Sequence, residues 1–170
     1  MSPALPPIDA PGGAYRERPI EPGRTALLSI DIQNGEYSAE RLARARAGAS
    51  EEARYRDFLE RLATVVLSNQ QRLQATARAH GIEVIFTVIE SLTQDGRDRS
   101  LDHKISRIHH PKGSWQAQVI PEVAPLPNEI LIPKTASGIF NATNIDYVLR
   151  NLRIDYLVMY GVMTDQCVES

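Results

Sequence analysis

Four short runs of apolar residues on consecutive positions mark this chain: "TALLSID" (Thr25 to Asp31), "EVIFTVIE" (Glu83 to Glu90), "EILIPK" (Glu129 to Lys134) and "DYLVMYGV" (Asp155 to Val162). None alternates cleanly between apolar and polar, so each reads as a strand covered on both faces, as in a parallel sheet between helices. Between the first two runs, Tyr55, Phe58, Leu59, Leu62, Val65, Val66, Asn69 and Leu73 recur at three- and four-residue steps and predict one stripe along a long helix. Glu51 and Glu52 suit its first turn, and Gly81 follows where a left-handed cap is wanted. In "TNIDYVLRNLRI" a second helix is predicted, capped by Thr143 with Asp146 three residues on, and with Ile145, Val148, Leu149 and Leu152 on its apolar face. Strand and helix alternating in this way predict an open, doubly wound, mostly parallel α/β sheet with helices on both faces.

The remaining segments set boundaries. Residues 1–23 are rich in Pro and Gly and read as an extended arm, leaving 24–170 as one domain. The arm has no apolar core of a secretory signal, and no run approaches the ~20 apolar residues of a membrane span. Residues 91–118 form a polar, charged connection, and so long a connection inside a compact domain is usually functional.

Charge then narrows the partners. Lys and Arg number 19 against 21 Asp and Glu, a net charge of -2, which argues against nucleic acid or an anionic membrane. The arginine-rich piece "RLARARAG" reads as a solvated helix face. A single cysteine excludes an internal disulfide framework and fits a reducing compartment, so a cytoplasmic location is expected.

The strand ends carry the candidate chemistry. The first run ends in Asp31, the second in Glu90 and the third in Lys134, and the fourth leads through "GVMTDQ" to Cys167. Ligands of open α/β sheets bind outside the carboxyl ends of the strands, so these groups are expected on one rim. Together they suit nucleophilic catalysis: Lys134 would lower the thiol pKa, Asp31 would take its proton, and backbone amides of the turn would hold an oxyanion. A helix beginning at Cys167 would add its dipole to both effects. A lone cysteine is more often a small buried hydrophobe, but Cys167 follows Thr164, Asp165 and Gln166 in a polar turn. The residues alone leave both readings open.

"LLSIDIQNGEY", "ILIPKTASGIFNAT" and "GVMTDQCVES", in this order and spacing, resemble the isochorismatase-like cysteine hydrolases from about Arg24 onward. With "KGSW", "VLRNLRI" and "CVES", the chain is most similar within that family to ureidoacrylate amidohydrolases. The resemblance implies the Rossmann-like three-layer fold of that family and hydrolysis of a C–N amide or ureide bond through an acyl-Cys intermediate. It implies Asp31 as general base, Lys134 as the cation beside the thiol and Cys167 as nucleophile. It further implies a cis Val162–Met163 peptide and an oxyanion hole from the amides of Met163 and Cys167. Asn34, Tyr37, Glu90, Phe140 and Asn141 are expected to line the pocket, with ordinary packing the alternative for Tyr37 and Phe140.

Family members that hydrolyse isochorismate lack the cysteine, so its presence favours an amide or ureide substrate. Nicotinamidases of the family hold a metal with an Asp-x-His pair, which is absent here. His103, His109 and His110 read as solvated loop residues, so no catalytic metal and no cofactor are expected. Dimers or tetramers are common in the family, and a homo-oligomer is expected. The fourth run needs cover on both faces that nothing after it supplies, so a chain truncated after the fourth strand is expected, or a sheet completed by another chain. The competing functional reading is a non-catalytic fragment or interaction module with an unactivated thiol. A thiol redox protein fits less well without a second cysteine.

Overall fold

The computed structural model describes residues 20–48 and 53–169; most of the arm, Glu51, Glu52 and Ser170 lie outside them. Four parallel strands, β1 (Thr25–Ile30), β2 (Glu83–Ile89), β3 (Ile130–Lys134) and β4 (Tyr156–Gly161), form one sheet in the order β3-β2-β1-β4. The apolar runs thus became strands, trimmed by a residue or so at their ends.

Helices cover both faces of the sheet. On one face Ala26, Leu28, Ile30, Ile85 and Ile132 pack against Ile139 and against Ile145 and Leu149 of helix α6 (Ile145–Asn151). On the other, Leu27, Val84 and Phe86 pack with Ala77 of α3 (Leu67–Ala79). Side chains alternate between faces along each strand, so one continuous apolar run supplies both layers. β1 is buried throughout, and β2 is buried from its second residue.

Cover on both faces does not extend to the sheet edges. In β4, Val158 and Met159 are 41% and 44% exposed, and Leu131 of β3 is 44% exposed. These strands lie at opposite edges, where among the described residues neither has a second neighbouring strand and less is packed over them.

The long helix also differs from its expected stripe. It runs as α2 (Arg56–Arg61), a π-helical segment Leu62–Val66, and α3. Within the π turn the Leu67 amide bonds the Leu62 carbonyl, five residues back, which inserts one residue into the turn. The buried stripe therefore steps from Leu59 and Leu62 to Leu67, Gln70, Gln74 and Ala77, while Asn69 and Leu73 turn outward. Gln74 is tolerated inside because its Nε2 donates to the Val123 carbonyl (3.2 Å) and the Tyr160 hydroxyl (2.8 Å). A clear expectation follows: Leu67→Ala costs about 2–3 kcal/mol in urea unfolding, whereas Leu73→Ala stays within about 0.5 kcal/mol. Equal costs would contradict the shifted stripe.

Helix ends follow their expected chemistry in part. α3 closes with Gly81 at φ 66°, the Gly81 amide on the Arg78 carbonyl and the Ile82 amide on the Ala77 carbonyl, a Schellman cap. At α6 the N-cap position is Asn144, one residue later than expected. The Thr143 hydroxyl accepts from the Ile145 amide (3.1 Å) and donates to the Ile139 carbonyl (2.7 Å), joining α5 (Ile139–Ala142) to α6. Asp146 pairs with Arg150 rather than closing a capping box. The arginine-rich piece forms α1 (Ala39–Arg46), with Leu42 and Ala45 buried, so it is a packed amphipathic helix and not only a solvated face. The connection from β2 to β3 is ordered and carries α4 (Leu101–Ile105). No helix among the described residues is long and apolar enough to cross a membrane.

Candidate active site

β1 ends one residue before Asp31, whose φ of 56° places it in the left-handed region that Asp tolerates better than most residues. Its carboxyl is 1% exposed; Oδ1 accepts from the Thr87 hydroxyl of β2 at 3.0 Å. Lys134, the last residue of β3, is fully buried, and its Nζ lies 2.8 Å from Asp31 Oδ2. β2 separates β3 from β1, about 9–10 Å at ordinary strand spacing, and the long lysine side chain spans that gap. Nζ also donates to the carbonyls of Ala136 (3.0 Å) and Ser137 (2.9 Å) and to Cys167 Sγ (3.3 Å). The three strand-end groups thus meet, as their sequence positions imply.

Cys167 sits within a single π turn, Thr164–Val168, and is 5% exposed. The expected helix starting at Cys167 is not what the described residues form, so no helix dipole is credited to the thiol. The preceding Val162–Met163 peptide is cis. The thiol pKa is pushed up to about 11, first by burial and then by the Asp31 charge, with Lys134 pulling the other way. Lys134 lowers it, as expected, but burial and the carboxylate outweigh the ammonium. At neutral pH the resting sulfur is therefore protonated, and Asp31 Oδ2 has no hydrogen bond among the described residues beyond its contact with the ammonium.

The sign can be tested. Asp31→Asn removes the anion that raises the thiol pKa and leaves the Lys134 ammonium beside it. The midpoint of iodoacetamide alkylation at Cys167 is expected to fall by about 1–3 pH units, while turnover falls with the lost base. An unchanged or higher midpoint would contradict this electrostatic account.

Above the thiol lies a cavity of about 330 Å³ lined by Asp31, Glu36, Arg41, Tyr55, Phe58, Ile89, Ile108, Val162, Met163, Gln166 and Cys167. A neighbouring groove of about 370 Å³ shares Phe58, Val162 and Met163 with it. None of the five residues expected to line the pocket lines this cavity, whereas Met163, expected to supply an oxyanion-hole amide, does. Asn34 is buried, and its Nδ2 donates to the Trp115 carbonyl (3.0 Å), fixing the loop after β1 and bordering an adjacent cavity. Tyr37 packs in the cluster of Ile32, Leu42 and Leu59. Glu90 accepts from the Gly113 amide (2.6 Å), and Phe140 and Asn141 are exposed; none of these three lines the cavity over Cys167.

Glu36, Arg41, Tyr55, Phe58 and Gln166 were not anticipated at the site. Glu36 and Gln166 are close to Asp31 and Cys167 in sequence, which is a usable signal. Arg41, Tyr55 and Phe58 come from α1, α2 and the turn before α2, which only folding brings over the thiol.

The histidines are not solvated as expected. His103 is fully buried, with Nε2 3.4 Å from the Ser137 hydroxyl, and both burial and Lys134 hold its pKa down. His110 is 9% exposed beside Glu36. With its pKa held down, His103 packs inside as a neutral imidazole at modest cost, which sequence polarity conceals. Among the described residues no group of three or more His, Cys, Asp or Glu is placed to hold a metal ion.

Comparison with known proteins agrees with this fold. Residues 25–170 match the isochorismatase domain model. The chain is 32% identical over 174 residues to the ureidoacrylate amidohydrolase RutB of Rhizobium rhizogenes, covering 89% of this chain and 64% of that protein. It is also 32% identical to RutB of Agrobacterium fabrum, covering 89% of this chain and 69% of that one. Among solved structures, a cysteine hydrolase from Pseudomonas syringae pv. phaseolicola superposes with a TM-score of 0.68 at 26% identity, covering 89% of this chain and 65% of that chain. N-carbamoylsarcosine amidase from Thermoplasma acidophilum shares the fold, with a TM-score of 0.61 at 22% identity, covering 86% and 72%. The chain spans about 64% of the length of the first of these relatives.

Proposed function

The chain belongs to the isochorismatase family, and from that premise we propose that it is a cysteine amidohydrolase that cleaves a C–N bond of a small linear ureide or amide. The observation that carries this reading is the convergence of Asp31 and Cys167 on Lys134, at 2.8 and 3.3 Å, on the floor of one cavity. The names of the most similar relatives support the substrate class.

In this reading Asp31 Oδ2 takes the thiol proton as Cys167 Sγ attacks the carbonyl carbon. Lys134 steadies the sulfur as it gains charge and keeps Asp31 in place. The amides of Met163 and Cys167 receive the oxyanion. The tetrahedral species collapses, the C–N bond breaks, and Asp31 returns its proton to the departing ammonia or amine. Water, giving a proton to Asp31, then attacks the S-acyl group; the C–S bond breaks and the thiol regains its proton. A thiol held mostly protonated suits such a coupled transfer, because the proton leaves only as the bond forms. It is also what an unactivated thiol in a non-catalytic module would show, and turnover separates the two.

The test is ammonia release from a panel of linear ureides and amides, with quenched samples examined by mass spectrometry. Turnover with an acyl adduct on Cys167 is expected. No ammonia from any member and an unmodified Cys167 would overturn the proposal.

A further inference from the structure

Glu36 is a second carboxylate in the cavity over Cys167, and nothing in the mechanism uses it. Its surroundings hold it in position. His110 Nε2 lies 3.3 Å from Glu36 Oε1, and Arg41 Nη1 lies 3.9 Å from Oε2. Arg41 is itself anchored, donating to the Glu36 carbonyl at 2.6 Å and lying 5.0 Å over the Tyr55 ring. An ionised carboxylate only accepts, so the His110 Nε2 carries the hydrogen of this contact. Among the described residues His110 Nδ1 is buried without a partner, which leaves Glu36 as the polar contact of the ring there.

The backbone is shaped for this contact. A Cβ at Gly35 would collide with His110 Cε1, so the ring reaches Glu36 in this position because residue 35 has no side chain. The groups facing Glu36 favour its anion: the His110 hydrogen bond holds its pKa below the usual carboxylate range, and the Arg41 charge acts in the same direction against burial. The side chain remains 39% exposed and Glu36 borders both the cavity over Cys167 and the adjacent one lined by Arg44 and His109, so its lone pairs are not all taken up by His110 and Arg41. Much of the wall around it is apolar, from Tyr55, Phe58, Ile89, Ile108, Val162 and Met163. In such surroundings a fixed charged acceptor discriminates strongly between ligands that can donate to it and ligands that cannot.

We propose that Glu36 is a specificity-determining residue whose carboxylate accepts from the bridging N–H of a ureide bound over Cys167, so that the cavity selects ureides over simple amides of the same shape. This rests on the hydrolase reading above and names its substrate class. His110 and Arg41 act as positioning residues for that acceptor.

Binding to the full chain carrying Cys167→Ala tests it without requiring turnover. The probes are 3-ureidopropionate and glutaramate, which differ only by N–H in place of CH2. Calorimetry is expected to give about tenfold tighter binding of 3-ureidopropionate, the order of one charge-assisted hydrogen bond. Adding Glu36→Gln should bring the ratio near one, because with Oε1 on His110 the glutamine presents an NH2 where an acceptor stood. Equal affinities at the start, a preference that survives Glu36→Gln, or no binding of either probe would overturn the proposal. Ammonia release by the unsubstituted chain is read separately. Turnover with equal affinities removes the Glu36 subsite and leaves the hydrolase, whereas a Glu36-dependent preference without turnover leaves the subsite and removes the hydrolase.

Discussion

Cys167→Ala is expected to lower ureide or amide turnover by at least about a thousandfold while leaving the protein folded. The thiol is the only cysteine in the chain, and neither neighbour can replace it: in the proposed mechanism Asp31 serves as base, and Lys134 is held among the carbonyls of Ala136 and Ser137. When a nucleophile is removed, the rate that remains comes from binding and the oxyanion site alone. The structural cost is small because one sulfur atom leaves a small void beside Ile30, Ile89 and Ile139, at about 1 kcal/mol. Steady-state ammonia release and urea unfolding on the same preparation read the two effects apart. Turnover within tenfold of the parent would remove Cys167 from the chemistry.

Lys134→Met should instead damage both stability and activity. Lys134 and Asp31 are 0% and 1% exposed, and the ammonium is the charge partner of the buried carboxylate. Methionine fills a similar volume, yet it strands the Asp31 charge and leaves the Ala136 and Ser137 carbonyls without their donor. Breaking one side of a buried pair costs about 3–5 kcal/mol, a large share of the 5–15 kcal/mol that ordinarily holds a domain together. The pair as a whole is worth far less than that loss, since its desolvation offsets much of its attraction. Adding Asp31→Asn to Lys134→Met is therefore expected to recover a good part of the unfolding midpoint, though not the turnover. If the double variant is no more stable than the single one, the stranded charge is not the cause.

The contrast between these two substitutions reflects how the site is built. Cys167 lies on a short turn at the cavity floor, where removing a side chain changes chemistry more than packing. Lys134 joins β3 to β1 across the end of β2, so it serves the fold as well as the thiol. Glu36 lies between these cases, partly exposed and held from behind by His110.

Much of this was legible in the amino-acid order. The four strands appear as apolar runs because a strand buried on both faces must be apolar at every position, which is a local property. The meeting of Asp31, Lys134 and Cys167 follows from parallel topology, which brings all carboxyl ends to one rim. The Gly81 cap follows from a left-handed backbone that only a few residues tolerate.

Other features could not be read that way. One π turn at Leu62–Val66 moved the buried stripe onto Leu67, Gln70 and Gln74, because a single inserted residue rotates everything after it and no composition marks the insertion. His103 and His110 read as loop polar groups, yet an imidazole can be buried neutral. The thiol pKa was decided by the balance of burial and Asp31 against Lys134, which depends on distances and solvent exposure. The cavity wall of Arg41, Tyr55 and Phe58 exists only because folding brings α1, α2 and the turn before α2 to the cavity over Cys167. The chain order thus determined which groups would reach the rim, since strand ends are set by local pattern. The tertiary structure decided what surrounds them, because protonation and selectivity depend on neighbours distant in the chain.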